Sequence, residues 1–430
     1  MNSESSIESS ENNIKEYVRQ HNRVNFFLCF IDAVGFPAGL SFISTLTILP
    51  LFVRQLTDSN ILVGLIPSIG SMGFFLPQIL VANYVERLPK KRNYVMVLAS
   101  IERLTILVLA IFTIWLANYQ TGLLGGFFFC WIVFNFTMGF NSPAYSAMIS
   151  KVIPASRRGR LYGLAGAIGG VLGILSAELS RRLLTGYSFP MGYTYCFLLG
   201  FLVLTISLSP LGFIRESSEP SLPRLGWRSQ FRSAVTILRS DKDYRWYVCS
   251  QILYAFNEMG TAFYTVCAIN RLGASEGNVA IFTAILMGTG IVTNPFWGYI
   301  ADVFGNRKVL ISSTICALAA PVMAILSSSL QLFYLVFVLN SLANTGVWLS
   351  SYNIVMEFAP PRSVPTYSAL RSTLMSPLRI VAPILGGFIA DQIGYNAVFG
   401  ISIVMTVVGL MMLFQFHEPR NRTQNVKRNA

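Results

Sequence analysis

Charged side chains are scarce in this chain, and their scarcity is the first guide to its class. Only 12% of the 430 residues are Asp, Glu, Lys or Arg, whereas 53% are apolar. An average soluble domain carries about 25% charged residues, which it needs to cover its surface. A soluble globular domain of this size is therefore excluded, and a membrane protein is indicated.

Residues that support catalysis or cross-linking are also few. The two histidines, His21 and His417, lie outside or at the ends of the apolar runs. A Walker A loop is absent from the sequence, which excludes ATP as the direct energy source. Each of the six cysteines stands alone in an apolar run, so neither a disulfide framework nor a zinc spacing is available. We therefore expect no enzyme, no cofactor and no metal site.

Long apolar runs take up most of the chain. A hydrocarbon layer of about 30 Å is crossed by roughly 20 residues of helix, and twelve runs reach that length. The predicted spans are roughly 25–52, 60–85, 94–117, 122–149, 161–184, 192–214, 246–270, 277–301, 309–327, 330–357, 365–390 and 395–416. The sequence thus predicts an all-α, multi-pass membrane protein.

The net charge of +13 raises the question of nucleic-acid binding, and the placement of the basic residues answers it. They fall in alternate loops, with 25 of the 32 Lys and Arg residues on one face and four on the other. Such a bias marks the cytoplasmic side of a membrane protein. We therefore expect both termini in the cytoplasm, an inner (plasma) membrane location and no nucleic-acid partner.

Polar segments divide the chain into five predicted parts. A polar N-terminal tail covers residues 1–23, and the longest hydrophilic stretch, 215–245, carries seven basic residues. The predicted parts are the cytoplasmic tail 1–23, a six-helix bundle at 24–214, a cytoplasmic loop at 215–245, a second six-helix bundle at 246–416 and a cytoplasmic tail at 417–430.

A short polar loop occurs once in each half of the chain. Residues 298–308 read Gly-Tyr-Ile-Ala-Asp-Val-Phe-Gly-Asn-Arg-Lys, and a diverged copy lies 216 residues upstream. In the upstream copy Pro89 replaces the second glycine. The matched positions are Ala82 with Gly298, Glu86 with Asp302, Lys91 with Arg307, and Arg92 with Lys308, whereas Gly305 is found only downstream.

This loop resembles the one between the second and third helices of each half in the major facilitator superfamily of transporters. The resemblance implies two six-helix bundles related by a pseudo-two-fold axis, with a binding site near the midplane between them. It also implies a cytoplasmic latch between the halves, in which Asp302 meets a helix start near Arg160 and Glu86 comes within reach of Arg371. The alternative is that the basic residues of these loops only set the topology.

Ionisable residues inside membrane spans are costly and are functional candidates by default. Asp32 in the first span, Glu258 in the seventh and Arg379 in the eleventh belong to this class. By analogy with the superfamily, both acids face the substrate path, and a carboxyl away from water favours its protonated form. We expect these residues to carry protons or to bind substrate. The alternative is that Glu258 and Arg379 form a static ion pair.

Two further groups of charges give less information. Glu178 is followed by Arg181 and Arg182 at the i+3 and i+4 positions, which predicts an ion pair on one helix face. Glu102 and Arg103 are adjacent, and sequence neighbours on a helix do not face each other. Their role stays open.

Amides and aromatic residues recur on three predicted spans that the superfamily resemblance places around the cavity. Such stripes serve either as substrate contacts or as hydrogen-bonded contacts between helices. The candidates are Asn135, Asn141 and Tyr145 in the fourth span, Gln251, Tyr254 and Asn257 in the seventh, and Asn340, Asn344, Trp348 and Tyr352 in the tenth.

Together with these patterns, the resemblance to the major facilitator superfamily implies a secondary active transporter of a small organic solute that works by alternating access. Proton coupling is expected, with a modest preference for efflux of amphipathic or cationic compounds. The alternatives are a sugar or metabolite uptake permease or facilitator and a non-transporting sensor or scaffold. We expect a monomer whose partners are the solute, protons and membrane lipid.

Overall fold

The computed structural model describes residues 2–217, 236–358 and 364–418. These residues are helical almost throughout, and no β-strand occurs among them. The predicted loop 215–245 and tail 417–430 lie in large part outside the described residues. A helical chain is expected in a bilayer, because an apolar medium offers backbone groups no hydrogen-bond partner except one another.

The helices are named here in chain order. They are α1 (Asn2–Ser41), α2 (Ile48–Leu56), α3 (Asn60–Arg87), α4 (Arg92–Trp115), α5 (Gln120–Val152), α6 (Ala155–Gly186), α7 (Met191–Leu208), α8 (Lys242–Tyr254), α9 (Asn257–Thr261), α10 (Tyr264–Leu272), α11 (Glu276–Phe304), α12 (Asn306–Leu326), α13 (Leu330–Phe358), α14 (Val364–Gln392) and α15 (Tyr395–Leu413).

Eleven helices in the described part of the chain are long and apolar enough to cross a membrane. They correspond to eleven of the twelve predicted spans. The seventh predicted span, 246–270, is not one continuous helix, because α8, α9 and α10 follow one another there with short breaks. The first predicted span, 25–52, is likewise interrupted between α1 and α2. The all-helical membrane fold is confirmed, and continuity of these two spans is not.

Contacts between Cα atoms group the chain into two compact units. The first comprises Met1–Ile43 with Gly73–Arg224, and the second comprises Ser44–Met72 with Leu225–Ala430. The division falls inside α3, so the segment 44–72 belongs by contact to the second unit although it precedes most of the first. The predicted bundles 24–214 and 246–416 are defined by chain order, and their boundaries stay a prediction.

Close helix packing in the first unit depends on glycines at the crossings. A Cβ atom built at Gly139 on α5 would lie 2.1 Å from the carbonyl oxygen of Gly73 on α3. A Cβ atom at Gly35 on α1 would lie 2.3 Å from the Cβ atom of Ser207 on α7. Small residues at such contacts let two backbones approach closely, and this packing provides attraction where lipid removes most of the hydrophobic effect.

Aromatic rings fill much of the core of the second unit. Tyr244 and Tyr247 on α8 are fully buried in one cluster with Phe358 and Phe416. The hydroxyl of Tyr244 also donates to the carbonyl oxygen of Tyr367 at 2.6 Å. A buried tyrosine usually finds such a partner for its hydroxyl group. This cluster anchors α8 against α13 and α14.

The segment 44–72 is joined to the rest of the second unit by polar contacts. The side chain of Gln55 donates to Oε1 of Glu276 at 2.9 Å, and the hydroxyl groups of Thr47 and Thr283 are hydrogen bonded to each other. A Cβ atom at Gly64 would lie 2.3 Å from the carbonyl oxygen of Pro383, so α3 and α14 also approach closely. The start of α3 is therefore built into the second unit.

Candidate functional site

Asp32 lies on α1 in the interior of the first unit. Its side chain is almost fully buried, with 4% of the residue exposed. The hydroxyl of Tyr145 on α5 donates to Oδ2 of Asp32 at 2.8 Å. The other carboxyl oxygen, Oδ1, accepts no hydrogen bond from any residue that the structure describes. The structure thus joins two predicted site residues and leaves one buried carboxyl oxygen unsatisfied.

A second buried acid, Glu102 on α4, lies in the same interior. Its Oε2 atom is 2.6 Å from Nη1 of Arg103, and its Oε1 atom accepts from the side-chain amide of Asn141 at 3.1 Å. Glu102 is 1% exposed and Arg103 is 4% exposed. The expectation that these sequence neighbours do not face each other is wrong. The flexible arginine side chain folds back along α4, where Nη1 also donates to the carbonyl oxygen of Ala99 at 3.1 Å.

Arg103 also extends from α4 towards the helices around it. Its guanidinium carbon lies 5.7 Å from the centroid of the Phe36 ring, one helical turn beyond Asp32 on α1. Its Nε atom donates to the carbonyl oxygen of Leu204 at 3.4 Å. The first unit therefore contains a buried polar cluster, which we name the N cluster. Its members are Asp32, Glu102, Arg103, Asn141 and Tyr145.

Asn135 lies outside the N cluster. It is buried on α5, and its side-chain amide donates to the carbonyl oxygen of Trp131 on the same helix at 2.7 Å. Its Cβ atom lies at the crossing of α5 with α3, where it would be 2.6 Å from a Cβ atom built at Gly73. These contacts are those of a packing residue, and its predicted role in the cavity stays a prediction.

In the second unit, Glu258 and Arg379 form an ion pair. Nε of Arg379 on α14 is 3.1 Å from Oε1 of Glu258 on α9, and the two side chains are 19% and 28% exposed, respectively. This is the pairing that the sequence left open as an alternative. Both charges are therefore compensated within the second unit.

The ion pair lies where the helical ladder of the seventh predicted span is interrupted. The backbone N–H groups of Glu258 and Met259 donate three residues back, to Ala255 and Phe256, at 3.1 Å each. Asn257 accepts from the hydroxyl of Ser402 at 3.4 Å. Bonds from residue i to residue i−3 tighten a helix locally and often mark a functional hinge.

The other candidates on α8 and α13 differ in exposure. Gln251 and Tyr254 are buried, and Oε1 of Gln251 accepts from the hydroxyl of Ser351 at 3.3 Å. On α13, Asn340 is buried, whereas Asn344 is exposed and Trp348 is 57% exposed. The side chain of Tyr352 lies outside the described residues.

The upstream loop is built around Glu216, which lies outside the predicted site. The carboxylate of Glu216 accepts the backbone N–H groups of Lys91 at 2.9 and 2.8 Å and of Arg92 at 2.9 Å. The ammonium of Lys151 is 3.3 Å from the same carboxylate. Glu216 thus caps the N-terminus of α4, where the helix dipole favours an anion. The side chains of Ala82 and Glu86 lie outside the described residues.

The downstream loop has a glutamate in the equivalent place. Oε2 of Glu418 accepts the backbone N–H of Arg307 at 3.2 Å, next to Gly305. Gly305 has a φ of +92°, a backbone conformation that side chains with a Cβ atom rarely adopt. Arg307 also donates through Nε to the carbonyl oxygen of Leu413 at 3.2 Å. Each capping acid directly follows the last helix of its predicted bundle, which is a signal that the sequence did carry.

The remaining loop candidates lie apart from these caps. Asp302 and Lys308 are exposed, Gly298 is half-buried, and Arg160 is exposed on α6. Arg371 donates through Nη1 to the hydroxyl of Tyr247 at 3.2 Å and to the carbonyl oxygen of Ser351 at 3.0 Å, within its own unit. The latch between the predicted bundles stays a prediction.

Glu178 forms the predicted ion pairs on α6, at 2.7 Å to Arg181 and 2.9 Å to Arg182, and this prediction is confirmed. Among the described residues, no group of three His, Cys, Asp or Glu side chains could hold a metal ion.

Comparison with known proteins assigns the chain to a family. The sequence profile of the Major Facilitator Superfamily matches residues 31–269 and 247–430. The chain therefore belongs to the major facilitator superfamily, a family of membrane transporters and not of enzymes.

Individual relatives are distant in sequence. An uncharacterized protein of Mycobacterium tuberculosis (strain ATCC 25618 / H37Rv) is 25% identical over 291 residues, which cover 65% of this chain and 56% of that protein. The MFS-type transporter TOXA of Cochliobolus carbonum is 26% identical over 205 residues, or 47% of this chain and 35% of that protein. The matched region thus spans little more than half of the mycobacterial relative.

Solved structures show the same fold. The nucleoside transporter NupG superimposes with a TM-score of 0.70 at 11% identity, covering 92% of this chain and 99% of that one. A D-xylose-proton symporter superimposes with a TM-score of 0.65 at 13% identity, covering 94% and 99%. At such identities the likeness extends to the fold alone.

Proposed function

We propose that this protein is a secondary active transporter that moves a small organic solute by alternating access and is coupled to protons. We further propose a modest preference for efflux of amphipathic or cationic compounds. Its membership of a transporter family supports the transport activity. The positive-inside bias supports a plasma-membrane location with both termini in the cytoplasm.

The buried carboxyl of Asp32 carries the proposal of proton coupling. An ionised carboxylate is unfavourable in an apolar interior unless it is paired and hydrogen bonded. Among the described residues, Asp32 accepts one hydrogen bond, from the neutral hydroxyl of Tyr145, and its Oδ1 atom has no partner there. Protonation removes the charge while the site is closed to water, and access to water allows the proton to leave. A group of this kind can link proton movement to the exposure of a site.

Glu258 is assigned a different role because its charge is compensated by Arg379. Its helix is interrupted at this point, and discontinuous helices form the substrate sites of many transporters. We therefore assign the ion pair to the substrate region of the second unit, where it orients polar groups of the solute. The exposed Trp348 and Asn344 on α13 support a solute with both an apolar and a polar part.

The proposal is tested by transport in proteoliposomes with a fluorescent pH indicator inside. Cationic amphiphiles, sugars and organic anions are supplied in turn to the parent, to Asp32→Asn and to the control Glu178→Gln, which changes an exposed ion pair. We expect one solute class to drive proton movement in the parent and the control, and none in Asp32→Asn. Solute flux without proton movement in the parent would refute coupling.

The same assay separates the alternatives. Proton movement driven by a sugar or an organic anion, with net uptake, would replace efflux by an uptake permease. Specific binding of a solute to the purified protein without any flux would indicate a sensor. No contact among the described residues favours either alternative.

A further inference from the structure

The buried charges of the N cluster do not balance when all of them are ionised. Asp32 and Glu102 supply two carboxyl groups, whereas Arg103 supplies one guanidinium, and each of the three residues is at most 4% exposed. A buried charge without a countercharge is unfavourable, and the group neutralises instead. The cluster therefore reaches neutrality when it takes up one proton.

The hydrogen bonds show which acid keeps its charge. Glu102 is 2.6 Å from Nη1 of Arg103 and accepts from Asn141 at 3.1 Å, so charged and neutral donors both stabilise its carboxylate. Asp32 accepts from Tyr145 at 2.8 Å, and its Oδ1 atom has no described partner. Asn141 also has an amide oxygen that is buried without a described partner, at 7% exposure of the residue.

We infer that Glu102 is a positioning residue for proton coupling, because it holds Arg103 in a direct ion pair and so keeps the guanidinium from pairing directly with Asp32. Arg103 lies within reach of the alternative partner, since its guanidinium stacks on Phe36, one turn from Asp32. If Glu102 released it, Arg103 would stabilise the Asp32 carboxylate and abolish the need for a proton. This inference rests on the proposed function.

The proton step itself is simple. A hydronium ion gives up a proton to Oδ1 of Asp32, so that one of its O–H bonds breaks, a water molecule is left and the carboxylate is neutralised. When the cluster regains access to water, the O–H bond at Oδ1 breaks and the proton returns to a water molecule. Glu102 and Arg103 keep their charges throughout. The described titratable groups that surround Asp32 are Cys29 on its own helix, Glu102 and Arg103 on α4, Tyr145 on α5 and Tyr162 on α6.

The test compares Glu102→Gln with the double variant Glu102→Gln/Arg103→Gln. In the single variant Arg103 turns to Asp32, and an opposite charge within about 4–6 Å changes the proton affinity of a carboxyl by roughly 10- to 1,000-fold. We expect solute-driven proton movement to fall about tenfold or more, and the pH profile of transport to move to lower pH. In the double variant the competing charge is gone, and we expect proton movement to return with a profile at higher pH than in the single variant.

The double variant also distinguishes positioning from a structural role. Removing both partners of a buried ion pair is often tolerated, whereas removing one is strongly destabilising. A single variant that fails to fold beside a double variant that folds is the pattern of a structural ion pair and would overturn the inference, whereas a folded single variant with reduced proton movement beside a double variant that couples supports it. Loss of coupling in a folded double variant, or unchanged coupling and pH profile in a folded Glu102→Gln, would overturn the inference.

The parent protein separates this inference from the proposed function. If the parent moves solute without protons, the proposed coupling fails, and this inference fails with it. If the parent couples and Asp32→Asn does not, the proposed function stands, and the Glu102 variants decide this inference alone.

Discussion

The contacts of Glu216 predict that its substitution strongly lowers the stability of the first unit. Its side chain is 1% exposed, and its carboxylate binds two backbone N–H groups at the start of α4 together with the ammonium of Lys151, whose side chain is 5% exposed. Replacing Glu216 by alanine removes the helix cap and takes the carboxylate away from a buried cation. Glu216 is not a member of the N cluster, so we expect its substitution to change the stability of the protein and not proton coupling.

The size of the effect follows from these two losses. Loss of an N-cap costs about 0.5–2 kcal/mol, and removal of one partner from a buried ion pair costs about 3–5 kcal/mol. The contributions overlap at the same carboxylate, so we expect Glu216→Ala to lower the free energy of unfolding by about 3–5 kcal/mol. The double variant Glu216→Ala/Lys151→Met removes the buried cation as well, and we expect it to recover about 1–3 kcal/mol.

The assay is equilibrium unfolding of the purified protein in mixed micelles, followed by tryptophan fluorescence. Glu178→Ala is the matched control, because it removes an acid from a helical ion pair whose side chain is 41% exposed. Exposed ion pairs contribute little to stability, so the control should unfold as the parent does. Unfolding curves that coincide for Glu216→Ala and Glu178→Ala would refute the capping argument.

Three further predictions concern packing and hydrogen bonds. Gly139→Ala should lower the free energy of unfolding by about 1–3 kcal/mol in the same assay, because its Cβ atom would meet a backbone carbonyl. Gly125→Ala is the control: no atom lies within 4 Å of its Cβ position, so the substitution should be neutral or stabilising. Gly305→Ala should cost about 1–3 kcal/mol through its φ of +92°, and Gly400→Ala, which lies in α15 with open space around it, should not. Asp391→Ala removes the acceptor of the first N–H groups of α3, at 3.0 and 3.3 Å, and should speed amide hydrogen exchange there; unchanged exchange would contradict that role.

Most of the helices could be predicted from hydropathy alone. In a bilayer the backbone must satisfy its own hydrogen bonds, so an apolar run of sufficient length forms a helix whatever it packs against. The first span is interrupted between α1 and α2, and ten of the twelve predicted spans meet this expectation as single helices. The seventh span did not, because Asn257, Glu258 and Gly260 sit within it, and their contacts across the unit compete with the regular helical ladder.

The candidate site was predicted only in part. Asp32 and Glu258 were found because a carboxyl inside an apolar run is costly wherever it lies. The pairing of Glu102 with Arg103 was missed, since spacing rules for helices describe where side chains start and not how far a long side chain can fold back. Glu216 was missed because it lies outside the apolar runs, where acids are ordinary.

Composition and the order of apolar runs were enough to establish a helical membrane protein, because the solvent imposes the helix on each run separately. The paired polar loops, by their resemblance to those of the major facilitator superfamily, pointed to a transporter. Which charges meet was a property of the folded chain alone. Asp32 and Tyr145, or Glu216 and Lys91, are far apart along the chain, and their contacts depend on how helices pack. The hydropathy of a segment is set by residues that are adjacent in sequence, whereas the compensation of a buried charge depends on residues that become neighbours only after folding.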